Sequence, residues 1–152
     1  MVKAIGAAAA AALTLAGLAI ASSQGDTYKL SATLKAGVEV PKPAGVPANA
    51  TGAFTGKTVE QLYQKPKITW QLTFSHLSGK AVAAHIHTGK PGKAGGVLLA
   101  LCGPCKSGQK GAATLTQAQL AKIESGATYV NIHTPKNAAG EIRGQVKVSE
   151  AG

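Results

Sequence analysis

Apolar side chains alternate with polar ones along short stretches of this chain, and this period-two pattern constrains the fold more than any other feature. Ile68, Trp70, Leu72 and Phe74 occupy every second position of the clearest stretch, so they share one face of a strand. Such strands bury one face and expose the other. With Gly, Pro, Asn and Ser turns between them, the stretches predict strands at residues 28–34, 52–59, 68–74, 81–87, 97–101, 108–115, 128–133 and 140–148.

Short strands at this close spacing predict an all-β domain, either an antiparallel β-sandwich or a Greek-key barrel. One short helix is expected at residues 117–125. Thr116 is placed to cap its first turn together with Gln119, three residues later, and Gly126 is suited to ending it.

The first residues have the layout of a secretory signal peptide. Lys3 precedes an uncharged run of small and apolar residues at positions 4–21, and the run ends in a small-x-small triplet at Ala21. A retained membrane anchor is the alternative, although a spanning helix needs roughly 20 strongly apolar residues and this run is rich in alanine. We predict a signal peptide at residues 1–21, one domain at 22–152, and export to a periplasm or the extracellular space.

The balance of charge is strongly basic. Loss of Lys3 with the signal peptide leaves 15 Lys and Arg against 6 Asp and Glu. This excess favours anionic partners such as an envelope polymer, although a solvated basic surface without a specific partner is the alternative. The basic residues are scattered singly and few aromatic residues could stack on bases, so we predict no nucleic-acid partner.

Three histidines on two predicted strands are the strongest candidate metal ligands. His85 and His87 alternate along one strand and therefore share a face, while His133 lies on a later strand. If the two strands are neighbours, the three imidazoles converge. Three imidazoles suit copper or zinc, with water, Tyr129 or Glu141 as a fourth ligand.

The alternative interpretation of these histidines is structural. They would then bond to turn backbones and to Asn131, Thr134 and Glu141, fixing the ends of their strands. His76 is a weaker metal candidate, because its strand is predicted to end close to Leu77.

The two cysteines form the tetrapeptide Cys102-Gly103-Pro104-Cys105, which is identical to the thioredoxin redox motif. No helix is predicted to begin there and no βαβ pattern surrounds it, so the usual means of lowering a cysteine pKa is missing. In an exported protein a local disulfide between Cys102 and Cys105 is favoured. Reduced thiolates that join a copper site are the alternative.

Several segments in the same order resemble the CHRD domain, a family first described in chordin and found widely in secreted bacterial proteins. The segments are LKAGVEVPKP at 34–43, AHIHTGKPGKAGGVLLAL at 84–101 and TLTQAQLAKIESGATYVNIHTPKNAAGEIRGQV at 114–146. Glu141 and Arg143 fall within the family's Gly-Glu-Ile-Arg-Gly signature. The resemblance implies a fold similar to copper/zinc superoxide dismutase, and it implies no general biochemical activity.

Glu141 and Arg143 lie two residues apart, so a strand would project both from the same side. Arg143 could pair with a carboxylate or hold a loop carbonyl, and a functional alternative is that it orients an anion near the histidines.

The sequence therefore favours a binding or structural module over an enzyme. The first hypothesis is a non-catalytic exported domain that holds copper or zinc through His85, His87 and His133. The second is an interaction module for a protein or an anionic envelope polymer. The third is a redox enzyme that uses copper or the dithiol of Cys102 and Cys105. The sequence leaves the oligomeric state of the protein open.

Overall fold

The computed structural model describes residues 25–151, so the predicted signal peptide at 1–21 lies outside the described residues. Within 25–151, no helix has the length and apolar character needed to cross a membrane. The described elements are antiparallel strands and one α-helix, with a single turn of 3-10 helix at Ala36–Val38: β1 (Thr27–Lys35), β2 (Thr51–Val59), β3 (Lys67–Ser75), β4 (Ala83–Thr88), β5 (Val97–Cys102), β6 (Gln109–Thr114), α1 (Gln117–Glu124), β7 (Thr128–His133), β8 (Ile142–Gln145) and β9 (Lys147–Glu150).

The strands form one sheet that curls into a nearly closed barrel. Their order is β5-β4-β7-β8-β1-β2-β3-β6, and β9 also pairs with β1. The edge strands β5 and β6 are joined by residues 103–108 alone. A segment of that length reaches at most about 20 Å, so the two edges must approach each other. The predicted class, all-β and antiparallel with one short helix, is confirmed.

The barrel interior is filled by the alternating apolar residues. Phe54, Ile68, Leu72 and Ile86 are fully buried, and Trp70 is nearly so. The helix α1 adds Leu120 and Ile123 to the same core. Its first turn has the predicted capping box, in which the Thr116 hydroxyl accepts from the backbone N–H of Gln119.

The last predicted strand, at 140–148, is two strands in the structure. β8 lies between β7 and β1, whereas β9 pairs with β1 alone. The two are separated by Val146, whose side chain is buried and whose N–H donates to Thr128 O. The pattern of apolar residues continues through this break, so periodicity alone did not reveal it.

Candidate metal centre

The strands β4 and β7, which carry the three histidines, are direct neighbours. His85 pairs with Asn131, and His87 pairs with Tyr129, in an antiparallel register that places His133 beside Ala83. Ring nitrogens of His85, His87 and His133 lie within 4.8 Å of one another. Convergence of the imidazoles requires the two strands to be neighbours, and the structure meets this condition.

The core side of these strands is apolar, as alternation predicts. Ile86, Val130 and Ile132 are fully buried in the barrel. The opposite side, which carries the histidines, is covered by the loops at 89–96 and 134–141. Because of this cover, His87 and His133 are only 8% and 9% exposed, while His85 remains partly accessible to solvent.

The edge strand β5 is irregular next to the histidines. Its register against β4 shifts between Ala84 and His85 and again between Ile86 and His87. At each shift β5 has one residue more than β4, as in a β-bulge, which bends a strand and changes the direction of nearby side chains.

Backbone carbonyls fix the orientation of two of the three imidazoles. Nδ1 of His87 lies 2.9 Å from Gly95 O, and Nδ1 of His133 lies 2.9 Å from Ala138 O. Only an N–H can donate to a carbonyl, so Nδ1 carries the proton in both rings and Nε2 carries a lone pair. Metal-binding histidines are commonly oriented in this way.

The two Nε2 atoms have different surroundings. Nε2 of His133 lies 3.0 Å from Nδ1 of His85 and accepts a hydrogen bond from it. Nε2 of His87 is buried and has no hydrogen-bond partner within the described chain. Buried polar atoms in folded proteins are nearly always paired, so a buried lone pair of this kind is suited to receive a bound ion or a water molecule.

Burial favours the neutral form of two of the three imidazoles, those of His85 and His133. It lowers the pKa of His85, and the neighbouring His133 and His87 lower it further. Burial also lowers the pKa of His133, which the hydrogen bond to Ala138 O opposes and His87 reinforces. The neutral ring is the form that binds metal ions.

Tyr129 and Arg143 form a layered support behind His87. The rings of His87 and Tyr129 are stacked, with centroids 5.1 Å apart and planes 9° apart. The guanidinium carbon of Arg143 lies 3.5 Å from the Tyr129 centroid, and Nη2 donates to Lys93 O at 3.0 Å. Arg143 therefore holds a loop carbonyl, one of the three roles considered for it.

Glu141 and Arg143 have separate partners. The buried Glu141 carboxylate accepts hydrogen bonds from Ser78, Thr134 and Asn137. The Glu141 carboxylate is not a member of the histidine cluster. The Tyr129 hydroxyl accepts a hydrogen bond from the backbone N–H of Gly95 at 3.2 Å. Among the described residues, neither of the two protein side chains considered as a fourth ligand is therefore free to serve.

His76 lies apart from the cluster. It is exposed, its φ is +57°, and its Nδ1 lies 3.0 Å from the hydroxyl of Ser75. The turn after β3 therefore separates it from the other three histidines.

The two cysteines are joined as a disulfide on the core side of the sheet. The sulfurs of Cys102 and Cys105 are 2.08 Å apart. Cys102 pairs with Ala84, whose side chain points into the core, and both cysteines pack against the core. They are therefore on the opposite side of β4 from His85 and His87, and the arrangement does not support thiolate ligation of a metal at the histidines.

We expect a Cys102→Ser/Cys105→Ser variant to lose about 2 kcal/mol of unfolding free energy, the low end for disulfides because the loop it closes is short. Urea unfolding followed by the fluorescence of Trp70, the single tryptophan, measures this loss. A variant as stable as wild type would show that the bond adds nothing to the fold.

Sequence reasoning missed the supports of the cluster. Gly95 and Ala138 contribute backbone carbonyls, which leave no residue-type signature. The stack of Arg143 on Tyr129 depends on the pairing of β7 with β8, in which Asn131 lies opposite Arg143 and Tyr129 opposite Gln145. The glycines that follow each histidine strand indicate turns there, but they do not indicate that the loops cover the histidines.

The fold and this site define a class of protein: an antiparallel barrel domain with a largely buried three-histidine cluster on the outer side of its sheet. The family model described as the CHRD domain matches residues 30–146, which is most of the chain. The chain therefore belongs to the CHRD-domain family. No curated protein and no solved structure matches it.

Proposed function

We propose that this chain is an exported, non-catalytic CHRD-domain module that holds one copper or zinc ion through His85, His87 and His133. The observation that carries the proposal is the buried Nε2 of His87. It has no hydrogen-bond partner within the described chain, while Nδ1 of the same ring is held by Gly95 O. A buried acceptor without a partner costs about 1–3 kcal/mol, and a metal ion at this position would remove that cost.

The other two rings require little change. Nε2 of His133 already carries a lone pair directed at His85. His85 has no carbonyl partner, so it can move its proton from Nδ1 to Nε2 and offer Nδ1 to the ion. The three ring nitrogens lie within 4.8 Å of one another, and Nδ1 of His85 is already 3.0 Å from Nε2 of His133. A tetrahedral site would set all three separations at about 3.3 Å, so only small shifts of the rings are needed.

The fourth position would be taken by water. Tyr129 and Glu141 are engaged elsewhere, and the partial exposure of His85 gives solvent a route to the cluster. Imidazole donors bind Cu²⁺ more tightly than Zn²⁺ in the usual order of divalent affinities. A bound ion would link β4 to β7 and stabilise the barrel.

The test is direct titration of the purified protein with Cu²⁺ and with Zn²⁺, followed by calorimetry and by metal content after dialysis. We expect one ion per chain, with tighter binding of Cu²⁺ than of Zn²⁺. The electron paramagnetic resonance spectrum of the Cu²⁺ form should show hyperfine structure from the ligand nitrogens. A single His85→Ala change should weaken binding by about 100-fold. The His85→Ala/His133→Ala double variant should retain no ion.

His85 is the more informative single position because it makes no bond to a turn carbonyl, so its loss should leave the fold intact. His76→Asn is the matched control: it removes an exposed histidine outside the cluster and supplies a residue that tolerates the positive φ at that position. Wild-type protein that takes up no metal, or a double variant that binds as tightly as wild type, would refute the proposal.

A further inference from the structure

One outward face of the barrel carries lysines and no acidic residue. It consists of the outward positions of β1, β2, β3, β6 and β9, which alternate with core residues such as Leu30, Phe54 and Ile68. We name it the lysine face. Its lysines, all exposed, are Lys29, Lys35, Lys57, Lys67, Lys110 and Lys147.

The acidic residues of the described chain lie elsewhere. Glu39 and Glu141 are buried. The other four gather at one end of the barrel around Tyr28, where burial and their combined fields raise the pKa of its hydroxyl; they are Asp26, Glu60, Glu124 and Glu150. These four adjoin the lysine face near Lys29 and Lys57, but no carboxylate stands among the outward positions of its strands, so the charges on the face itself are all positive.

Two lysines of this face are placed against each other. Lys29 and Lys57 are direct cross-strand partners in the β1–β2 ladder. Like charges at such positions lie roughly 5 Å apart at their Cβ atoms and weaken the pairing of the strands. A bound anion would remove this repulsion. No contact within the described fold requires two lysines at these paired positions.

A shallow groove crosses the same face. Its outward side chains are Thr55 and Lys57 of β2, Thr69 and Gln71 of β3, and Lys110 with Ala112 of β6. Gln71 is the direct partner of Lys110, and Lys57 of Thr69, so ammonium groups stand next to hydroxyl and amide groups. Such a surface can bind carboxylates through the lysines and sugar hydroxyls through the neutral groups.

We propose that the lysine face binds an acidic polysaccharide, a chain of uronate-type sugars, along this groove. The groups present favour this partner over a nucleic acid. The only aromatic residue at the groove is Trp70, whose side chain is buried on the core side, so no ring is available for base stacking. This binding is independent of the metal site, which lies on β4 and β7.

The experiment measures binding of the full-length mature protein to polygalacturonate, with dextran as the uncharged polymer and duplex DNA as an anion of different chemistry. We expect salt-sensitive binding to polygalacturonate and none to dextran. A Lys29→Gln/Lys57→Gln/Lys110→Gln variant should bind polygalacturonate about tenfold more weakly or worse. A Gln71→Ala variant, which keeps every charge, should weaken binding to polygalacturonate and leave binding to DNA unchanged.

The control variant is Lys80→Gln/Lys106→Gln/Lys122→Gln, which removes the same charge from exposed positions outside the lysine face. It should bind within twofold of wild type, and thermal unfolding establishes that both triple variants are folded. Equal weakening in the two triple variants would overturn the proposal, because binding would then follow net charge. Binding to DNA as tight as to polygalacturonate, or none to polygalacturonate at low salt, would also overturn it.

Discussion

A Glu141→Ala variant is expected to be strongly destabilised, although no apolar contact is central to the change. The Glu141 carboxylate is fully buried and accepts hydrogen bonds from the backbone N–H and hydroxyl of Ser78, from Thr134 and from Asn137. Each buried donor left without an acceptor costs about 1–3 kcal/mol, and we expect a total loss of about 3–5 kcal/mol. Urea unfolding followed by Trp70 fluorescence measures it.

The Glu141→Gln variant removes the negative charge of the side chain but keeps its shape, so it separates the contributions of charge and shape to stability. The amide keeps most of the volume and one acceptor oxygen, so this variant should be destabilised less, by about 1.5–3 kcal/mol, the usual contribution of a hydrogen bond to a charged group. A Glu141→Ala variant within about 1 kcal/mol of wild type would show that the donors find other partners. In that case the signature glutamate would not be a structural anchor.

The same carboxylate predicts an acid dependence of stability. Burial raises the pKa of Glu141, but the hydrogen bonds from Ser78, Thr134 and Asn137 outweigh it and hold the pKa below its ordinary value. At pH values between the folded and the unfolded pKa of Glu141, the folded state therefore binds fewer protons than the unfolded state. The contribution of Glu141 is present above the unfolded pKa of about 4.3 and is lost as the pH falls through the folded pKa. Glu141→Gln should remove this component of the acid transition.

These hydrogen bonds also connect the fold to the candidate metal centre. They fix the loop at 134–141, whose Ala138 carbonyl orients the ring of His133. Arg143 acts in the same way on the other loop, because it holds Lys93 O close to Gly95, the partner of His87. The Gly-Glu-Ile-Arg-Gly segment thus anchors both loops that cover the histidines.

Much of the fold could be predicted because alternation is a local property. It identified Ile68 and Leu72 as core residues, and it placed Ile86 and Val130 on the opposite side of their strands from the histidines. Alternation does not say which strands pair, since any two strands with one apolar face can be neighbours. The adjacency of β4 and β7 therefore had to come from the structure.

The burial of the histidine cluster could not be predicted for a related reason. Every residue of β7 is buried, including Tyr129, Asn131 and His133, which point away from the core. Their cover comes from loops distant in sequence, and a strand covered on its second side by loops has the same alternating pattern as one exposed to water. The supporting carbonyls of Gly95 and Ala138 belong to those loops and were missed with them.

The second large effect is expected at Gly144, where β8 packs closely against β1. A Cβ atom at this position would lie 2.2 Å from Thr33 O, 2.7 Å from Thr33 C and 3.3 Å from Leu34 N. All three are backbone atoms of β1, so no side-chain rotation can relieve the overlap. The only residue pair that joins these strands in register is Lys35 with Arg143, directly beside the glycine.

We therefore expect Gly144→Ala to move β8 away from β1 and to lower the free energy of unfolding by about 3 kcal/mol, the upper end for overpacking of a tight site. Gly37→Ala is the control, because a Cβ there meets nothing within 4 Å, and it should change stability by less than about 0.5 kcal/mol. Parallel urea unfolding of the two variants is the measurement. Equal stability would mean that β8 and β1 can separate freely, and that the signature glycine is not required for close approach of the two backbones.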